Sequence, residues 1–248
     1  LCFPLTKPLR HFQHPSLLAK ETAAQGGLSF VCHGELWKSN WDVPGLHGAE
    51  IVNLHAGAKT VNKLGTLSTA LALPMRSMCE RICYRDAGVL REYDRQLAQR
   101  HPFAPIGGND AHANIRVFGP LGGTIGTYRE IFLTLSTHVL ATELSEASLL
   151  DAFRQGRTYD FRVEDQGGTV HLGGATVAAD DARLLRVTTP RIARIRLLRD
   201  GIEVDSRLAQ TFQTRDLKAG IYRVEVQTED GDPWLFSSSI RIAAATVP

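Results

Sequence analysis

No apolar run in the 248 residues approaches a membrane span, so no bilayer-crossing helix is expected. An excess of one charge is also missing. The 28 basic and 26 acidic residues are spread along the chain and give a formal net charge of +2, which is not the electrostatic footprint of a nucleic-acid binder. Internal repeats and low-complexity tracts are absent. Cysteine is scarce: Cys2, Cys32, Cys79 and Cys83 all fall in the first third, without the spacing of a disulfide framework, so reduced thiols are expected. Cys79 and Cys83, four apart in an expected helix, share a face, but two thiols without further ligands make a poor zinc signature. They read as small core hydrophobes. No charged-then-apolar targeting segment that would name a compartment follows Leu1. The chain is expected either to have lost its start or to be a piece of a longer protein.

What is present is a folded composition, 43% apolar and 22% charged, with length enough for two domains. Three apolar runs in the first half each stop at polar, chemically capable residues: GLSFVCH (Gly27 to His33), GAEIVNLH (Gly48 to His55) and APIGGNDAH (Ala104 to His112). Their β-branched and aromatic content predicts strands. Helical periodicity predicts a helix over Pro15 to Ala24 and helices within Leu64 to Arg100, interrupted near Pro74 and Gly88. Strands alternating with helices argue for a parallel α/β sheet or barrel, with functional side chains at the carboxyl ends of the strands. Asn114 to Glu130 reads as a glycine-rich loop, Thr137 to Ala141 as a further strand, and Leu144 to Gly156 as a helix capped by Ser145.

The texture changes near Gly167, which divides an α/β portion, residues 1–166, from an all-β portion, residues 167–248. ARIRLLRDGIEVD and GIYRVEVQTEDGDPWLFSSSIRIA alternate apolar and polar residues around Asp200-Gly201 and Asp230-Gly231, a strong hairpin signal. This rhythm suits an immunoglobulin-like sandwich.

Chemistry concentrates at the strand ends. Asp110 and His112 stand two apart in GNDAH, so both side chains leave one face of a strand. A carboxylate and an imidazole together suit zinc, manganese or iron. The alternative is an N-cap aspartate and an exposed loop histidine. His33 ends a different strand, at the same rim if the strands form a barrel; a lone histidine there is otherwise a satisfied core or turn residue. Glu50 alternates inward, where a carboxylate needs a partner. It either orients a ligand histidine or contacts neighbouring backbone. Glu35, Asp42, His47 and His55 lie near strand ends, within reach of a substrate, as in any polar loop. Arg116 and Tyr128 are candidates for binding an anionic group, and His138 reads as a core or rim residue.

FVCHGE, GAEIVN and GGNDAH, in this order, resemble the third-histidine, Glu-x-x-Asn and Asp-x-His motifs of the PHP (polymerase and histidinol phosphatase) superfamily. THVLATELSEASLLDAFRQGRTYDF is similar to the segment that closes the barrel there, and YRVEV with PWLFSSSI to the appended sandwich of the carbaryl-hydrolase-like branch. The match runs from about Gly27 to Ile242. The resemblance implies the C-terminal part of a distorted (β/α)7 barrel followed by a β-sandwich. It implies two or three divalent metal ions in the complete site, ligated here by His33, Asp110 and His112, with Asp110 and His112 catalytic and Glu50 and Asn53 in support. His33-Gly34 stands where the family usually has His-Pro. The family's opening His-x-His strand, its further histidine and its glutamate have no counterpart in residues 1–26, where His11 and His14 belong to a helix entry.

The implied function is metal-dependent hydrolysis of a small-molecule phosphoester or carbamate, carried out by metal-activated water. With the opening strands missing, this chain alone is expected to be weak or inactive. A second reading, from another class, is a non-catalytic binding protein in which the sandwich recognises a partner. A third, a glycosidase, needs paired carboxylates across a cleft, for which Glu35, Glu50 and Asp110 are the only candidates.

Overall fold

In the computed structural model the described residues are 1–10, 14–37, 41–54, 56, 86–111, 116–118, 121–122, 128–158, 162–164, 170–171, 173–179, 181–182, 184–215 and 217–244. All three of the expected apolar runs become strands of a four-stranded sheet. It consists of β1 (Cys2–Phe3), β2 (Leu28–Val31), β3 (Leu46–Asn53) and β4 (Ala104–Gly108), in that spatial order. β2, β3 and β4 run parallel, and β1 lies antiparallel at the edge. β2 is buried throughout and β3 from Gly48 onward, as strands covered on both faces must be.

The covers are helices. α1 (Pro15–Ala23) links β1 to β2, with His14 at its N-cap. α2 (Ala87–Gln99) starts where the Asp86 carboxylate accepts from the Gly88 and Val89 N–H groups, satisfying donors that a helix start leaves open. It buries Val89, Leu90, Tyr93 and Leu97 in one cluster with Val31, Ala49 and Ile51. On the opposite face Leu28, Phe30, Ala104 and Ile106 receive Phe3, Leu150 and Phe153. The last two come from a later helix that begins at Ser145, whose hydroxyl accepts from Ser148 N–H as a cap. A short antiparallel pair, β5 (Arg116–Phe118) and β6 (Leu121–Gly122), and helix α3 (Tyr128–Phe132) precede it; the helix itself, α4, spans Glu146–Arg154.

This corrects the expected barrel. A (β/α)7 barrel lines its interior with side chains of its own strands and keeps its helices outside. Here helices press on both faces of the small sheet, and among the described residues strand outweighs helix. Apolar strand runs read alike in an open parallel sheet and a barrel, which is why the sequence pattern alone pointed to either. Thr137 to Ala141 forms no strand beyond a single bridge from Val139 to Thr158. Residues 57–85, with Pro74, Cys79 and Cys83, lie outside the described residues.

The larger sheet holds β7 (Arg162–Glu164), β8 (Val170–His171), β9 (Thr176–Ala178), β10 (Leu184–Arg199), β11 (Ile202–Arg215), β12 (Gly220–Gln227) and β13 (Pro233–Ala243). Its order is β8-β7-β10-β12-β13-β9, with β11 paired to β10. An immunoglobulin-like sandwich bonds its two sheets separately; here six of the seven strands follow one bonded path, and β11 lies off it on β10. β10 makes this possible, because its pairing with β11 shifts between Thr188 and Ala193, so that one half serves β7 and the other β12. Asp200 and Gly201 both have positive φ, 52° and 79°, the two-residue turn that matches the twist of a hairpin. Leu185, Ile195, Leu197, Phe212, Val224 and Ile240 fill the core of this sheet. Ile221 joins the α2 cluster, which fastens the two sheets together. No helix among the described residues is long and apolar enough to cross a membrane.

Candidate functional site

The carboxyl end of a parallel sheet collects side chains from strands that are far apart in sequence. β2 ends at Val31 and the chain turns at His33, whose φ and ψ are both 51°. β4 ends at Gly108 and the chain turns at Asp110, with φ 45°. Left-handed backbone is uncommon in residues other than glycine and marks strain that a site retains. The two turns flank the end of β3, and they bring His33 Nε2 to 3.6 Å from Asp110 Oδ2. At that distance the contact is not a hydrogen bond. His33 Nδ1 lies 3.2 Å from Glu35 Oε1, on the 3₁₀ turn Gly34–Leu36. All three side chains are partly open to solvent.

Glu50 builds the turn from below. Its Oε2 accepts from the His33 N–H at 2.9 Å and from Asn53 Nδ2 at 3.1 Å, while Asn53 Oδ1 accepts from the Ala56 N–H. Both side chains are buried, and these bonds meet the needs of their polar groups. Of the two roles expected for Glu50, it takes the contact with neighbouring backbone, which here belongs to the histidine in question. Gly108 is the complement: a Cβ on it would stand 1.5 Å from Glu50 Oε1. The glycine in GGNDAH therefore leaves room for the carboxylate that shapes the opposite turn. Asn109 is anchored through its Nδ2 to the Leu135 carbonyl. Burial pushes the Cys32 thiol up, which keeps it protonated and removes it as a nucleophile at neutral pH.

Of the expected site residues, His33, Glu35, Glu50, Asn53 and Asp110 therefore gather at one place. His112, His55 and His11 lie outside the described residues, and so does the side chain of Arg116. Tyr128 is exposed and stacks on Phe132. Asp42 is drawn into an ion pair with Arg95 on α2. His47 Nδ1 accepts from the Ser29 N–H, which is structural work.

The expected zinc, manganese or iron centre is corrected as far as the described residues go, His112 lying outside them. Among the described residues no group of three His, Cys, Asp or Glu is placed to hold a metal ion. The ring of His33 presents one nitrogen to Glu35 and the other to Asp110, so the carboxylates sit at different edges of the imidazole instead of around one point. Family models, curated proteins and solved structures give no match to this chain. The resemblance to the PHP superfamily stands on its sequence motifs.

Residues that the sequence reading passed over line a cavity beside β4, among them Thr158 and Trp234. Both sit in stretches that carry the family resemblance, but neither stands out there as a site residue. An apolar strand and an unremarkable threonine carry no local signal of the space that tertiary packing leaves between them.

Proposed function

We propose that the carboxyl edge of the small parallel sheet is an acid–base active site in which His33 moves a proton on a small polar substrate. The observation that carries this reading is the pairing of His33 with Asp110, two left-handed turn residues whose side chains meet across the end of β3. Glu35 is the orienting group. As an acceptor beside Nδ1 it places the ring proton there, which leaves Nε2 as the accepting nitrogen. A substrate hydroxyl or water lodged beside Nε2 and Asp110 then finds a base and a carboxylate that balances the imidazolium as it forms. Glu50 and Asn53 act through the backbone, as positioning residues for the His33 turn.

Phosphoester and carbamate bonds, expected from the sequence, are the substrates to assay first. The test is turnover of p-nitrophenyl phosphate and a p-nitrophenyl carbamate by the wild-type chain and by His33→Asn, Asp110→Asn and Glu35→Gln. His33→Asn is expected to lower turnover by roughly 10²–10⁴-fold, the range for a general acid–base group, and Glu35→Gln by less. A chain inert toward both substrates, or a His33→Asn variant as active as wild type, would overturn the reading.

A further inference from the structure

β11 is a long strand with one neighbour. Among the described residues it pairs with β10 alone, and β10 gives its other side to β7 and β12. The outer edge of β11 therefore presents backbone N–H and C=O groups that its own sheet does not use. Natural edges are commonly blunted by lysine, proline or a bulge. β11 has neither lysine nor proline. Its pairing with β10 is irregular at Val204 and at Gln210, but from Asp205 to Ala209 the register is unbroken. Exposed apolar side chains also gather on this strand: Ile202 is 71%, Val204 44% and Leu208 53% exposed.

The charges on the regular run decide what can pair with it. An antiparallel strand pair made from two copies has a two-fold axis, so a residue i placed opposite j also places j opposite i. An axis at Asp205 sets that carboxylate against itself, and an axis at Arg207 does the same to the guanidinium; like charges directly opposite are unfavourable. An axis at Ser206, between them, sets Asp205 against Arg207 of the other copy, twice by symmetry, and Val204 against Leu208. Opposite charges and apolar side chains are matched in this one register. Within one chain Arg207 Nη2 already donates to Asp205 Oδ2 at 3.0 Å, so across the axis the two ion pairs merge into one cluster of four alternating charges.

We propose that the free edge of β11 is an interface between two copies of this chain, paired antiparallel with the two-fold axis at Ser206. A single strand edge is a small interface, so the association belongs to the weak, micromolar class. The pairing is separate from the His33–Asp110 site and does not depend on its being catalytic.

The test is sedimentation velocity of the whole chain from about 1 to about 200 μM, which spans weak interfaces. The wild type is expected to pass from monomer to dimer. Asp205→Arg and Arg207→Asp each set like charges opposite in this register and are expected to hold the chain monomeric throughout. The double swap is expected to restore the dimer, with far-UV circular dichroism showing that each variant is folded. A second measurement is independent of charge. The axis brings Ser206 opposite its own copy at a Cα separation of about 4.5–5.5 Å, which a disulfide spans. Oxidised Ser206→Cys is therefore expected to crosslink as a dimer beyond the wild-type level, and Gln210→Cys, opposite Ile202, is not. A wild type still monomeric at about 200 μM overturns the proposal. So does a dimer indifferent to Asp205→Arg, a double swap that stays monomeric, or crosslinking by Gln210→Cys as strong as by Ser206→Cys.

Discussion

The Arg223 guanidinium on β12 grips the Asp94 carboxylate on α2 in two hydrogen bonds, Nε to Oδ1 at 2.6 Å and Nη2 to Oδ2 at 2.8 Å, across the seam between the two sheets. Its third nitrogen donates to Glu225 Oε1 at 2.6 Å, and Glu225 in turn receives Arg196. Burial works against the charge on Arg223, but its bonds to Asp94 and the pull of both carboxylates outweigh it, and its pKa is raised. Such a network is worth less than its bond count suggests, because removing the ions from water is expensive. Breaking it is a different matter.

Asp94→Ala leaves the Arg223 side chain, 3% exposed, short of a partner in a buried place. The expected loss is about 3–5 kcal/mol of unfolding free energy, measured by urea denaturation. The paired replacement Asp94→Leu with Arg223→Met should recover much of it. A loss below about 1 kcal/mol in the single variant would show that Arg223 finds other partners.

Gly108→Ala tests the contact between Glu50 and the turn after β4. The new methyl group collides with Glu50 Oε1, so the carboxylate must leave the His33 N–H. Overpacking of this kind costs about 1–3 kcal/mol. Glu50→Ala should relieve the collision, so the two substitutions are expected to be strongly non-additive in a double-mutant cycle. Additive losses would mean that Glu50 yields easily and does not fix the His33 turn.

Acid should loosen the same seam through His101. Burial, and less so the charge of Arg241, push its pKa down to about 4, although its ring lies 3.4 Å from the Ser239 carbonyl on β13. The unfolded chain therefore takes up this proton first as pH falls. The stability tied to neutral His101 is fully present above about 6.5 and is lost as pH drops toward about 4. His47, lowered mainly by its burial, adds to the same slope. Thermal melts between pH 7 and pH 4 should show the decline, and His101→Gln should flatten it in part. An unchanged slope in that variant assigns the decline to other groups.

Much of the site was legible because its chemistry is local. FVCHGE and GGNDAH each place a reactive side chain directly after an apolar run, and in a parallel sheet such residues meet at one edge. The strand ends were therefore readable, and so were the caps at Ser145 and the turn at Asp200-Gly201. Closure was not. Whether the face bearing Leu28 and Phe30 meets other strands or Phe153 of a helix depends on partners distant in sequence, and both alternatives require the same apolar residues. The role of Glu50 was ambiguous for a similar reason: only the fold reveals that the backbone it serves is that of His33. The cavity beside β4 was not legible, because it is defined by the space that distant segments leave between them and not by any one residue.

Strain at His33 yields the sharpest separation of function from fold. A residue kept for packing loses stability when truncated, whereas one held in left-handed backbone for its chemistry is expected to gain or hold stability when glycine replaces it. His33 has φ 51°, where a side chain costs roughly 1–2 kcal/mol and glycine almost nothing. Against this stand the loosening of the unfolded chain by glycine and the loss of contacts with Glu35 and Asp110. Those contacts are partly exposed, and such pairs contribute about 1 kcal/mol or less. The Glu50 bond to the His33 N–H survives the change because it is made to backbone. His33→Gly is therefore expected to leave the urea midpoint unchanged or shift it upward by the equivalent of up to about 1 kcal/mol, while abolishing whatever turnover the wild-type chain shows. A clear fall in the midpoint would mean that the imidazole supports the turn itself, and the strain would then be structural.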